Sequence, residues 1–157
     1  QYLIDRSLMR PRFLLNLISQ CKSFAINLNH DRILEEDIEK GLTAYSTDLL
    51  ADIGYEINDV ENRMDDVLYA FIGSNSIIKL NDINETLSDY GVENSHIQKI
   101  TNLLLWYGFI GVIIEGEAKY IYDLNYSMKL LAGIIKKKGD VEYLINPAFW
   151  PSLMIDG

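Results

Sequence analysis

A change of hydrophobic period at Gly108 narrows the folds open to this chain. Before it, Ile97, Ile100, Leu103 and Leu104 recur at spacings of three and four, the mark of a helix with one buried face, closed by Tyr107-Gly108. After it come the apolar run Phe109–Ile114, the turn Glu115-Gly116-Glu117 and a second run, Lys119–Leu124. β-branched and aromatic content on both sides of a glycine predicts a β-hairpin. A helix that feeds directly into a hairpin calls for a small sheet packed on helices.

Two shorter helices are expected upstream. Asp66–Ile72 is apolar and ends at Gly73-Ser74-Asn75-Ser76; Lys79-Leu80-Asn81-Asp82 offers a cap for a helix through Ile83 and Leu87, closed by Tyr90-Gly91. Asn94-Ser95 caps the third. Three helices followed by a hairpin is the winged-helix order, a helix-turn-helix variant. A helix around Ser127–Lys137, a strand Val141–Ile145 and a proline-containing tail should close the chain. The tail's Phe149-Trp150 is expected to dock back into a hydrophobic groove.

The N-terminal third reads as helical. Phe13, Leu14, Leu17, Ile18, Cys21, Phe24, Ala25 and Leu28 form one stripe, and Pro11 suits a first turn. A second helix should start near Glu35 and continue through Leu42, Tyr45, Leu49, Leu50, Ile53 and Ile57, with Gly41 a mild interruption. The charged stretch Asn58–Asp66 then reads as a linker or a helix start. The expected organisation is a helical lid-like subdomain over residues 1–60 and a winged-helix domain over 61–157, mainly α with a small β component.

Charge is partitioned unevenly. Residues 31–66 hold twelve acids against Arg32, Lys40 and Arg63 and so carry −9, equal to the net charge of the whole chain. Residues 1–30 carry +3 and the remainder −3. No broad basic face is present, which argues against strong non-specific binding of nucleic acid.

Several classes of chemistry are excluded. There is no GxxxxGK[ST], GxGxxG or GxSxG. The single cysteine, Cys21, permits neither an internal disulfide nor a multi-cysteine zinc site, lies on the apolar stripe as a core thiol, and fits a reducing, cytoplasmic compartment. His30, at a helix end, is read as a surface or capping residue, and His96, in a helix first turn, as similarly inert. Glu35, Glu36, Asp37 and Glu39 are read as a solvated helix face rather than a metal site. The tyrosines are read as core and interface residues rather than a stacking platform. No apolar run reaches the roughly 18–20 residues of a membrane span. No catalytic or metal-binding residue is assigned, and no cofactor is expected within the chain. It opens at Gln1 with neither an initiator methionine nor a signal segment, so it is expected to be part of something larger.

Arg10-Pro11-Arg12 is the sharpest local feature. Cations at a helix N-terminus oppose the helix dipole, so these arginines need a compensating anion: an acid of the 31–66 segment, a phosphate, or a partner surface. Arg10-Pro11-Arg12-Phe13-Leu14, then Asn29-His30-Asp31-Arg32-Ile33 and Glu35-Glu36-Asp37-Ile38, resemble the helical lid of bacterial AAA+ or STAND-like P-loop ATPases of uncharacterised or defence-associated type. The Tyr120-Ile121-Tyr122-Asp123 wing and the phrase Tyr143-Leu144-Ile145-Asn146-Pro147-Ala148-Phe149-Trp150-Pro151 are similar to the winged helix that follows such lids. The resemblance implies a sensor-2-like arginine, Arg12 or Arg10, that reaches the γ-phosphate of ATP. It implies ATP and magnesium for the parent protein only, because the Walker A lysine and the Walker B acid are absent.

On this reading the chain is a non-catalytic C-terminal regulatory part of a P-loop NTPase. Its partners are the missing N-terminal core and a protein partner or a second copy of itself. A DNA-binding regulator is the alternative, with Lys99, Asn102, Lys119, Lys136, Lys137 and Lys138 as contacts. That alternative is disfavoured because the helix Asn94–Tyr107 carries a single lysine and Glu115 and Glu117 flank the hairpin tip. A protein-interaction scaffold is the third reading.

Overall fold

A computed structural model describes residues 1–156. A short helix, α1 (Tyr2–Asp5), precedes two long ones, α2 (Pro11–Asn27) and α3 (Glu35–Asn58), which pack against each other. The buried stripe of α2 is narrower than its sequence suggests. Phe13, Leu17, Cys21 and Ala25 are buried, while Ile18 and Leu28 are exposed. Only the positions that meet α3 are sequestered, because a single partner helix covers a narrow arc.

α3 runs unbroken through Gly41. A Cβ at that position would lie 2.7 Å from Cys21 Sγ and 2.8 Å from the Cys21 backbone nitrogen, so this glycine lets the two helices touch. Gly54 serves the same end at the other side of the helix, where a Cβ would collide with the Asp65 carbonyl oxygen. The stretch 59–66 is accordingly a loop folded over α3, not a helix start. Asn58 Oδ1 fastens it, accepting the backbone N–H of Arg63 at 2.7 Å and of Met64 at 3.2 Å.

The second half begins with a 3-10 turn, Val67–Phe71, where an α-helix was expected. β1 (Ile77–Lys79), α4 (Leu80–Asp89), α5 (Asn94–Trp106), β2 (Ile110–Ile114) and β3 (Glu117–Lys119) come next. A second 3-10 turn (Ile121–Leu124), α6 (Met128–Lys138), β4 (Glu142–Ile145) and α7 (Trp150–Leu153) complete the chain. The molecule is mainly α with one small antiparallel sheet of order β1-β4-β2-β3.

The expected hairpin forms, with β2 paired antiparallel to β3 across the turn at Glu115-Gly116, but its second strand is Glu117–Lys119 and not Lys119–Leu124. β3 stops at Lys119, and Ile121–Leu124 leaves the sheet because Asp123 Oδ2 accepts the Tyr120 backbone N–H at 2.9 Å and closes a turn. On its other edge β2 has β4 as its inner neighbour, pairing Ile110 with Ile145 and Val112 with Tyr143. β3, the 3-10 turn and α6 therefore form an insertion between the two inner strands. Among the described residues no helix is long and apolar enough to cross a membrane.

One hydrophobic cluster runs through both halves, from Leu8 and Leu17 to Leu153 and Ile155. A file of tilted aromatic rings forms its centre: Phe71 and Phe109 lie 5.2 Å apart and Phe109 and Phe149 4.9 Å. The tail docks back as expected. Phe149 is fully buried, Trp150 Nε1 donates to the Ile145 carbonyl at 2.8 Å, and α7 lies on α3, where the Ser152 N–H reaches Ser46 Oγ at 3.3 Å.

Candidate functional site

The two arginines flagged by their position at the start of α2 have different fates. Leu8 and Met9 both adopt left-handed backbone (φ 51° and 54°), which turns the chain sharply before the helix. Leu8 is buried, and Arg10 becomes the N-terminal flanking residue of α2, directed across at α3. Its Nη1 donates to Glu56 Oε1 at 2.9 Å and to Oε2 at 3.1 Å. The Glu56 carbonyl accepts the Tyr107 hydroxyl at 3.0 Å, so one turn of α3 ties α2 to the end of α5. Burial, then the Glu56 carboxylate, raises the Tyr107 phenol above its ordinary range, and the hydroxyl stays protonated.

Arg12 sits one helical step further and is 71% exposed. Its Nη2 lies 3.6 Å from Asp52 and 3.7 Å from Glu56, too long for strong hydrogen bonds. Exposed pairs of this kind contribute about 0–1 kcal/mol. The compensating anion is thus supplied from within the acid-rich segment. Arg10 is committed to it; Arg12 keeps an accessible guanidinium.

The residues considered for nucleic acid lie on separate elements. Lys99, on α5, pairs with Glu61 of the 59–66 loop, which also meets His96 Nδ1 at 3.0 Å. The Lys99 hydrogen bond holds the Glu61 carboxyl below the usual range, against a smaller opposing effect of burial, with further help from His96. Asn102 Oδ1 accepts from Gln98 at 3.2 Å. Lys119 is bonded to Glu117 at 2.8 Å, and Lys138 Nζ to the Ile113 carbonyl at 3.1 Å. Lys136 and Lys137 are exposed in the last turn of α6, where cations suit the helix dipole.

Two residues read as unremarkable acquire partners. His96 is not isolated, because the loop brings Glu61 to it. Asp37 is not part of a solvated face: it is fully buried, and its Oδ2 accepts both the Leu34 backbone N–H and a 2.9 Å bond from His30 Nδ1. Burial opposes ionisation there, but the Leu34 and His30 bonds outweigh it and lower the carboxyl. An aspartate at the third position of a helix, seven residues after a histidine, was the signal for this cap. Cys21 is buried and its thiol is raised by burial, as a core thiol should be. Among the described residues, no group of three or more His, Cys, Asp or Glu is arranged to hold a metal ion.

The α1–α3 region that positions the arginines also has a counterpart among known families. Residues 1–54 match the FunZ-associated C-terminal helical domain. That match ends within α3, before Glu56, and leaves the sheet-bearing half outside it. No curated protein and no solved structure matches the chain. A helical domain described as C-terminal is compatible with an accessory rather than a catalytic role.

Proposed function

We propose that this chain is the non-catalytic C-terminal regulatory part of a P-loop NTPase, and that it couples nucleotide state in the core to a protein partner. The observation that carries this reading is the asymmetry at the head of α2, where Arg10 is locked to Glu56 and Arg12 remains exposed with only long contacts. An accessible guanidinium on a rigid helix suits a terminal phosphate, to which it makes short charge-assisted bonds. ATP and magnesium belong on this reading to the core, and Arg12 is what this chain offers to them. The helical match over residues 1–54 supports a C-terminal position in a larger protein.

In the same reading the second half is a winged helix. The order 3-10 turn, β1, α4, α5, β2 and β4 supplies its three helical segments and its sheet, and the β3–α6 insertion extends the wing. A protein-facing role is favoured over duplex reading because Lys99, Lys119 and Lys138 are spent on local acceptors.

Arg12→Ala in the full-length protein tests the proposal. Loss of a charge-assisted bond of about 1.5–3 kcal/mol lowers nucleotide hydrolysis or its response roughly ten- to a hundredfold. Unchanged kinetics, or a full-length gene without a Walker A motif upstream, overturns it.

A further inference from the structure

A cavity of about 270 Å³ lies between the N-terminal segment and the sheet. Its walls include Asp5 and Arg6 from one side and Tyr120, Tyr122, Asp123 and Asn146 from the other. It is smaller than the roughly 300–1,000 Å³ typical of sites for drug-sized ligands, so it suits a side-chain-sized group and not a nucleotide.

The polar inventory of the walls is one-sided. Asn146 Nδ2 has both hydrogens committed, to the Gly108 carbonyl at 3.1 Å and to the Tyr122 hydroxyl at 3.2 Å. The Arg6 guanidinium is drawn away over the Tyr2 ring, 3.7 Å from its centroid, and Nη1 reaches the Tyr2 carbonyl at 3.4 Å. Acceptors remain. No cation lies within ion-pair distance of Asp5 or Asp123 among the described residues. Tyr120 is 8% exposed and its hydroxyl has no hydrogen-bond partner, an uncommon and costly state for a buried polar group. Its ring is stacked on Tyr122 with centroids 5.3 Å apart, so the wall presents aromatic surface beside two carboxylates. Burial raises the Tyr122 phenol, the Asn146 bond opposes this, and Asp123 and Asp5 add to the rise.

We infer that this cavity binds a guanidinium or ammonium group on a short apolar stem, the chemistry of an arginine or lysine side chain. The cation lies against the stacked tyrosines, and its N–H groups are taken by Asp5 and Asp123. The site is independent of any nucleotide.

Amide NMR titration of the 157-residue chain decides the matter, with agmatine as the free cation and a hexapeptide bearing one central arginine as the protein-borne form. Saturable shifts centred on Tyr120–Asp123 are expected, and citrulline in place of arginine binds about tenfold more weakly. A peptide that binds at least tenfold more tightly than agmatine assigns the site to a protein partner; the reverse order assigns it to a small cation. Asp123→Asn, which keeps an acceptor for the Tyr120 N–H, and Asp5→Asn each weaken binding several-fold. Absence of saturable shifts with both probes, equal binding of the citrulline peptide, or Asp123→Asn and Asp5→Asn variants that fold and bind like the parent each overturn the inference.

Discussion

The helical hairpin α2–α3 and the sheet unit C-terminal to it are held together in opposite ways. In the hairpin, neighbours in sequence are neighbours in space: α3 comes after α2 across a short loop, and close approach at Gly41 brings two backbones into contact. In the sheet unit the decisive pairings skip over sequence. β2 finds its inner partner in β4, beyond β3 and α6, and β4 in turn finds β1. The packing within the hairpin is local, yet α3 also joins the common core and carries α7. The sheet unit is assembled around long-range anchors between segments distant in sequence.

Phe149 is the strongest of those anchors and gives the largest expected effect. Phe149→Ala removes one end of the Phe71–Phe109–Phe149 file and loosens the segment that carries α7 back to α3. A loss of about 3–5 kcal/mol is expected from chemical denaturation. Hydrogen exchange sharpens the comparison: if the halves form one cooperative unit, protection in α3 falls together with that in β2. Retained α3 protection would show that the hairpin stands alone.

Gly54→Ala attacks the hairpin's side of the same junction. The added methyl meets the Asp65 carbonyl, a backbone atom that cannot swing aside, so the 59–66 loop must lift. The expected cost is about 3 kcal/mol in a urea unfolding midpoint. An alanine that is tolerated would mean the loop is not seated as described.

Acid separates the regions in a third way. The folded-state value of the Asp37 carboxyl is depressed below the unfolded one, so its contribution is complete above the unfolded value near 3.8 and fades as pH falls through the folded value. Stability measured from pH 6 to pH 2 should fall less steeply for Asp37→Asn than for the parent, and the two curves should converge at the acid end. Parallel curves would remove Asp37 and His30 from the account of the loop between α2 and α3.

What could be read from sequence divides along the same line. The helices over 11–27 and 35–58 were legible because their apolar positions repeat locally, and Arg10 and Arg12 stood out because their sign is wrong for a helix start. Which arginine is spent was not legible, since it depends on where Glu56 falls across a helix–helix contact. Asp37 was misread because its neighbours Glu35, Glu36 and Glu39 share its composition but not its burial. The hairpin was legible from its turn, but its second strand was misplaced: Lys119–Leu124 has strand-like content, yet the Asp123 cap turns Ile121–Leu124 out of the sheet, and the non-local partners β4 and β1 gave no local signal, β1 being only three residues long. The Tyr120–Tyr122 cavity had no sequence signature, being built from segments more than a hundred residues apart.

Tyr107→Phe is the mildest of these perturbations and tests the seam itself. The hydroxyl donates to the Glu56 carbonyl, the same residue whose carboxylate holds Arg10, so a single α3 residue is contacted from α2 and from the end of α5. Removing the hydroxyl leaves the ring's packing and the Arg10 pair in place and takes the partner from a last-turn carbonyl of α3, since the Val60 N–H bonds Ile57 rather than Glu56. A loss of about 1 kcal/mol is expected, the net worth of a neutral hydrogen bond. Combined with Arg10→Ala in a double-mutant cycle, it measures whether the two contacts reinforce each other. A coupling energy of at least about 0.5 kcal/mol would mean that Glu56 transmits strain between the halves; additive losses would mean that it only joins them.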